Sequence, residues 1–425
     1  MISYVWVSAY IQQQSVCNRV SPQTVSTVCS LPSIVWTSGN VAPGPGALFG
    51  SQTILMQNLS TPWTENSGTT LYSSGPKLVL FGGVEGLQTF PQPKIVVKGE
   101  LWVLDLTQQL WHLMGMAGAV WPPPRSLHSI SARDVTTVVV YGGLGSSTEN
   151  FPYLDDLWVY DFLKQVWIGL PSGPSLAAHS ANIIGNIMFI FGGSSDLYSV
   201  SDAMYSFNFS ANTWSLVAVK SITLPPLSSV HGRRVALESQ GSLPAGRMSH
   251  TMVVLDTPLG QRMVLFGGII PNYLMPIFLN DIWSFDPFTY TWTEMSVGVP
   301  APPGMAGHCA WALSLSRMAV LGGGADMLSN QLWVWSWRTQ LWTHISAVSM
   351  PLAFSQVCVM FQHNIFVAGG ASQPLSAYSL MFDSIGSFYS TSNFSNISFG
   401  CNPGFFSPDF NSVDCIACPI GKKSH

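Results

Sequence analysis

The stretch that decides the fold runs from Arg247 to Trp292. It opens with Arg247-Met-Ser-His250, continues to Met263-Val-Leu-Phe-Gly-Gly268, and ends in Ile282-Trp-Ser-Phe-Asp286 with Trp292 six residues after the Asp. Trp283 and Phe285 precede Asp286 by three and one positions, so they share one face of a strand, as alternation in a half-buried strand requires. Asp286 can cap the following turn through its side-chain oxygen. Trp292 then begins a return strand and carries a large apolar surface. The Gly-Gly pair ends a continuous apolar strand at a place where the backbone must bend or approach a neighbour closely. The unit reads as four short antiparallel strands, a to d.

Working outward, the same unit recurs. The apolar run into Gly-Gly ends at Gly83, Gly143, Gly193, Gly268, Gly324 and Gly370. The polar residue and its aromatic partner are Asp105 with Trp111, Asp161 with Trp167, Asn208 with Trp214, Asp286 with Trp292, Ser336 with Trp342 and Asp383 with Tyr389. Four copies also carry a histidine upstream: His128, His179, His250 and His308. The short intervals hold constant while the spacing between units varies, so insertions fall in loops. One four-stranded sheet cannot bury both faces alone, whereas a ring of such sheets can.

These residues resemble the kelch repeat, and the resemblance implies an all-β fold: a kelch-type β-propeller with six blades of four antiparallel strands. The resemblance covers about residues 68–390, and the propeller is set at 68–392. Residues 1–67 hold weaker echoes, Ala47-Leu-Phe-Gly50, Ile54-Leu-Met56 and Trp63. They represent either a decayed seventh blade or a strand that closes the ring. The last two units, with Ser336 in place of Asp and Tyr389 in place of Trp, are expected to be looser.

Residues 393–425 form a different segment. Cys401-Asn-Pro-Gly-Phe-Phe, then Cys415-Ile-Ala-Cys418-Pro-Ile-Gly421, resembles the start of an ephrin-receptor-like cysteine-rich module of attractin-like extracellular proteins. That resemblance implies a small disulfide-rich segment with Cys401, Cys415 and Cys418 as disulfide candidates. A zinc half-site is the competing reading of Cys-x-x-Cys. Cys17 and Cys29 are a further candidate pair. Asn58, Asn208, Asn393 and Asn396 fit the N-glycosylation triplet.

Composition agrees with a chain rich in turns and buried surface. Charged residues make up 8% of the 425 residues, against about 25% in an ordinary soluble domain. No apolar run approaches the roughly 20 residues of a membrane span. Ile2 to Ile11 is the best signal-peptide core, yet it has no basic flank and no clear cleavage site. A net charge of −4 supplies no basic stripe for nucleic acid.

No catalytic constellation emerges, and no cofactor or metal is expected. Galactose-oxidase-like propellers hold copper with Tyr and His and cross-link a Tyr to a Cys, but Cys309 and Cys358 sit in no such motif. They read as small apolar packing residues. The recurrent histidines read as a shared structural hydrogen bond rather than a metal ring. The expectation is an extracellular or cell-surface module that binds a protein or carbohydrate, with a structural spacer and a propeller enzyme as the alternatives. The monomeric propeller would belong to a larger protein, anchored, if at all, through further chain beyond the C-terminal segment.

Strand direction locates the expected surface. Loops after strands b and d emerge on one face of the ring, and those after a and c on the other. The c–d turns are uniform, whereas b–c and d–a connections vary, and variable loops on a rigid scaffold carry binding residues. Candidate contacts are Phe90, Phe151, Tyr153, Tyr198, Arg233, Arg234, Tyr273 and Phe278.

Overall fold

In the computed structural model the described residues span 48–368 apart from internal stretches, the longest 223–241, together with strands at 6–8, 34–35, 394–396, 405–406 and 416–417. The described residues contain β-structure and no α-helix.

Two short strands come first, β1 (Trp6–Ser8) and β2 (Ile34–Val35). Blade one contains β3 (Leu48–Phe49), β4 (Gln52–Met56), a hairpin of β5 (Thr61–Thr64) and β6 (Thr70–Ser73), then β7 (Lys77–Leu87), β8 (Lys94–Asp105) and β9 (Leu110–Leu113). Blade two is β10 (Arg125–Ser126), β11 (Ser129–Ala132), β12 (Thr137–Gly145), β13 (Tyr153–Asp161) and β14 (Val166–Leu170). Blade three follows as β15 (Ser180–Ile184), β16 (Ile187–Phe191), β17 (Met204–Asn208) and β18 (Thr213–Leu216). Next is β19 (Lys220–Ile222), which leads to blade four: β20 (Thr251–Thr257), β21 (Gly260–Phe266), the small pair β22 (Ile269–Ile270) and β23 (Ile277–Phe278), β24 (Ile282–Asp286) and β25 (Thr291–Met295). Blade five is β26 (Ala306–Ser314), β27 (Arg317–Gly324), β28 (Leu332–Ser336) and β29 (Leu341–Ile345), with β30 (Ala347–Val348) beyond it. A sixth blade is described through β31 (Val357–Phe361) and β32 (Asn364–Ala368). Short strands β33 (Phe394–Asn396), β34 (Phe405–Phe406) and β35 (Ile416–Ala417) end the series.

Within each blade consecutive strands pair antiparallel, from the axis outward as a, b, c and d. The innermost strands β4, β11, β15, β20, β26 and β31 stand side by side, and β31 touches both β26 and β4. Six innermost strands therefore close the ring. Five blades are complete among the described residues, and the sixth contributes its inner pair. Strand a of blade one, β4, pairs with β7 from Gln52↔Phe81 to Met56↔Lys77. Residues 48–56, read from the sequence as part of either a decayed seventh blade or a ring-closing strand, thus supply the innermost strand of blade one and stand beside β31 where the ring closes.

The hydrophobic core is a set of layers between blades. Val79, Phe81 and Val103 of blade one meet Val138, Val140, Tyr160 and Trp167 of blade two. Equivalent layers join blades two and three, three and four, and four and five. In each seam the aromatic residue before Gly-Gly is clasped by the next blade's Trp: Phe81 by Trp167 at 5.2 Å, Phe191 by Trp292 at 5.1 Å and Phe266 by Trp342 at 4.8 Å between ring centroids. Trp214 makes the same contact with Tyr141 at 4.9 Å but is only half-buried, and its indole N–H donates to the Pro171 carbonyl.

Candidate functional site

The candidate surface depends on how firmly the blades are locked, and that lock begins with the histidines. All four are buried, and each stacks edge-on against the aromatic residue before the previous blade's Gly-Gly, at 5.2–5.7 Å. His179, His250 and His308 place Nε2 at 3.0, 2.8 and 2.8 Å from the hydroxyls of Ser129, Ser180 and Thr251. Each hydroxyl belongs to the residue just after the previous blade's own histidine. Burial pushes the imidazole of His179 down to about 4 and that of His308 to about 3. Burial, joined by the Arg125 charge at His128 and the Arg247 charge at His250, holds those two well below the ordinary range. In blades three to five the neutral imidazole matches the reading of a shared hydrogen bond, whereas His128 makes no such bond to a hydroxyl, Gln52 standing at the equivalent position of blade one.

Gly142-Gly143 shows why the pair needs glycine. Both have positive φ, +60° and +98°. A Cβ on Gly142 would lie 2.6 Å from the Leu176 carbonyl oxygen and 3.1 Å from His179, and one on Gly143 would lie 2.8 Å from the Cβ of His128. The dipeptide is sandwiched between its own blade's histidine and the next one.

Just before each histidine, Leu127, Ala178, Ser249 and Gly307 adopt left-handed φ of 53–62°, as does Gly50 in blade one. Their amides form a collar around the axis: Leu127 N–H donates to Gly50, Ala178 to Leu127, Ser249 to Ala178 and Gly307 to Ser249, at 2.8–2.9 Å. The collar compensates for an unfavourable backbone at three non-glycine positions.

Two features were not read from the sequence. Arg125 and Arg247, fully buried, make bidentate ion pairs with Asp156 and Asp281 at 2.6–2.7 Å and also donate to Gly142 and Gly267 carbonyls. Trp158 and Trp283 donate to the same carboxylates. Blades three and five have neutral partners at these positions, Leu176 with Ala203 and Met305 with Gln331. The signal was visible as an acid five residues before the turn-capping Asp wherever the histidine motif opens with Arg. The second feature is a correction. Cys309 and Cys358 do not pack as separate apolar residues but form a disulfide between blades five and six. Cys309 follows His308 directly, at the position where the preceding blades have a hydroxyl. The covalent bond thus joins the innermost strands β26 and β31 of neighbouring blades. It also leaves neither cysteine free for cross-linking to a tyrosine.

The faces of the ring differ as their loops do. The c–d turns repeat one design: Asp105, Asp161 and Asn208 Oδ1 each accept two turn amides, and Asp286 accepts that of Phe288. Left-handed Gln165, Asn212, Tyr290 and Gln340 complete four of the turns. On the opposite face, the b–c connection of blade four carries β22 and β23 and exposes Met275 (76%) and Ile277 (51%). Phe278 is half-buried against Met248, Ile269 and Ala306. Tyr153 begins β13, is half-buried, and has its hydroxyl raised by burial while bonded to Ser194. Both belong to this face. Phe90, Phe151, Tyr198, Arg233, Arg234 and Tyr273 lie outside the described residues, as do Cys17, Cys29, Cys401, Cys415, Cys418 and Asn393. Asn58 is exposed in the turn after β4, Asn208 is engaged as a turn cap, and Asn396 ends β33. Among the described residues no group of three His, Cys, Asp or Glu could hold a metal ion. Nor is any helix there long and apolar enough to cross a membrane.

Blades locked by histidine, tryptophan and glycine pairs define a kelch-type propeller. The KLHDC2/KLHL20/DRC7 Kelch-repeats domain matches residues 68–236 and 232–370, and the chain belongs to this kelch-repeat family. The match begins after β4, whose stretch no longer carries the pattern. The chain is similar to Adagio-like protein 3 of Oryza sativa subsp. japonica, 30% identical over 275 residues, 62% of this chain and 39% of that protein. It is also similar to Kelch domain-containing protein 10 of Rattus norvegicus, 25% identical over 59% of this chain and 60% of that protein. Host cell factor homolog hcf-1 of Caenorhabditis elegans is 25% identical over 55% of this chain and 29% of its own length. The matched region thus spans less than two thirds of each relative. Membership in this family supports protein–protein interaction in general terms.

Proposed function

We propose that this chain is an extracellular protein-binding module of a larger secreted or surface protein, docking its partner on the b–c and d–a face. The observation that carries this reading is the asymmetry between faces. The c–d turns on one side repeat one design, and only blade one's a–b connection there is long, carrying the β5–β6 hairpin, while the other side carries connections of unequal length with Met275 and Ile277 exposed on a locked scaffold. Exposed apolar side chains on rigid supports are what a protein interface uses. The Cys309–Cys358 disulfide supports an oxidising compartment, as do the acceptor triplet that opens with exposed Asn58 and the resemblance of the cysteine-rich tail.

The test has two arms. In the first, the chain is fused to a secretion signal and expressed in cultured animal cells. Export, an oxidised Cys309–Cys358 pair and a glycosidase-sensitive mass at Asn58 are expected. Retention with fully reduced cysteines, or stoichiometric zinc on the tail, overturns the extracellular reading. In the second, purified protein is screened against an arrayed set of secreted and surface proteins. Hits should weaken when residues 271–276 become a Gly-Ser turn; binding that survives that graft, and grafts of the remaining b–c loops, with the fold intact moves the site elsewhere.

A further inference from the structure

The blades are joined by polar links as well as apolar layers, and the links are not all of one kind. Ser129, Ser180 and Thr251 each follow their own blade's histidine and set a hydroxyl 3.0, 2.8 and 2.8 Å from the next blade's imidazole. These bonds are indifferent to redox conditions. Cys309 holds the same position in blade five, directly after His308, and it reaches blade six through sulfur, to Cys358. One joint of the ring is therefore a bond that a thiol can break and an oxidant can restore.

The place of that bond gives it control of one seam. Cys309 lies on β26 and Cys358 on β31. β31 stands between β26 and β4, so the last blade completes the circle with the first through this strand. Without the disulfide, β31 is held to β26 by packing alone across the sulfur positions. Blades two to five keep their histidine bonds and apolar layers whatever the state of the thiols. Loss of the bond thus acts on one joint and spares the rest of the scaffold. The sulfurs are also within reach of a small thiol: Cys309 is 7% exposed, but Cys358 is only half-buried. Access of this kind separates exchangeable disulfides from those sealed in a core.

We propose that Cys309–Cys358 is a redox latch: a dithiol opens the seam between blades five and six in the folded chain, and an external disulfide closes it again. The reductant's thiolate attacks the sulfur of Cys358, the more exposed of the two. A mixed disulfide forms there, the Cys309–Cys358 bond breaks, and the Cys309 sulfur leaves with the electron pair and takes up a proton. The second thiol of the reductant then attacks its own sulfur in the mixed disulfide, which frees Cys358 as a thiol and carries the reductant away as a disulfide. The chain gains two electrons and two protons, and the dithiol loses them; an external disulfide runs the exchange backwards. In the open form β31 keeps its hairpin partner β32, and the pair can part from blade five. The latch acts on the scaffold and needs no partner on the loop face.

The experiment treats the full chain with graded dithiothreitol in the absence of denaturant, then with oxidised glutathione. Alkylation followed by peptide mass spectrometry reads the state of Cys309 and Cys358. Amide hydrogen exchange reads each seam, and tryptophan fluorescence checks the fold. Reduction in the folded state is expected, with exchange about tenfold or more faster across residues 306–312 and 357–368 and within about twofold of the starting rate across 138–141 and 188–191. Oxidised glutathione should restore the first pattern. The double variant Cys309→Ser/Cys358→Ser should show the open pattern with or without reductant, and Cys309→Ala/Cys358→Ala serves as a second version. A pair that is reduced only once urea has unfolded the chain overturns the proposal and leaves the disulfide a structural bond. Reduction that leaves exchange across 357–368 unchanged also overturns it, as does reduction that speeds exchange equally in every blade.

Discussion

Asp281→Ala removes the carboxylate paired with the Arg247 guanidinium, which has no solvent exposure. Arg247 would keep its bonds to the Gly267 and Ala245 carbonyls but not its counter-charge. Breaking a buried pair in this way costs about 3–5 kcal/mol. The reverse change, Arg247→Leu, leaves Asp281, whose side chain is 29% exposed and still accepts from Trp283. Water can reach that carboxylate, so the cost is smaller, about 1–3 kcal/mol. The double variant Arg247→Leu/Asp281→Ala copies the Leu176 and Ala203 arrangement that blade three already uses. It should be more stable than Asp281→Ala alone, which gives a coupling of about 2 kcal/mol or more between the two sites. Urea unfolding of the four proteins, followed by tryptophan fluorescence, measures the cycle. If the double variant loses the sum of the two single losses, the charge pair is not what the seam requires, and the reasoning fails.

The four buried histidines make stability depend on pH. Their folded values lie below the unfolded value near 6.5, so the unfolded chain binds more protons as pH falls. Stability should be flat above about pH 7 and decline below 6.5 by about 1.4 kcal/mol per pH unit for each histidine, until His179 begins to protonate near 4; urea midpoints that do not move between pH 6.5 and 5 contradict this. Replacing Cys309 and Cys358 by Ser opens a link between residues 49 apart in sequence, which should cost about 4 kcal/mol, and a parent protein whose melting temperature ignores reductant contradicts it. Trp292→Ala should cost about 3–5 kcal/mol, since that side chain is 1% exposed, and clearly more than Trp214→Ala at the half-buried seam; melts showing the reverse order would mean the seams are wrongly ranked.

The repeat was legible because its residues are tied to backbone geometry. The Gly-Gly pair, the capped turn and the Trp each satisfy one local requirement, and six copies in phase leave little choice of fold. Strand β4 was harder to see, because Ser51 stands where blades two to five have His and Gln52 where blades two to four have Ser or Thr. The disulfide was hidden by distance: Cys309 and Cys358 lie in different repeats, 49 residues apart. The Arg–Asp pairs escaped for the same reason, being 31 and 34 residues apart. The loop face followed from strand direction alone.

The closed ring also dictates an order of events as the chain is made. Strand β4 ends at Met56, and the strand that flanks it on its far side, β31, begins at Val357. Almost the whole propeller must therefore leave the ribosome before the first innermost strand gains its second neighbour, and contacts so far apart in sequence are slow to form. Until then β4 has one side bare, and blade five has the other. Cys309 waits on that late edge, and Cys358 arrives with the strand that completes the circle. A thiol pair placed there records the end of assembly: it can join only when the penultimate and last blades have met.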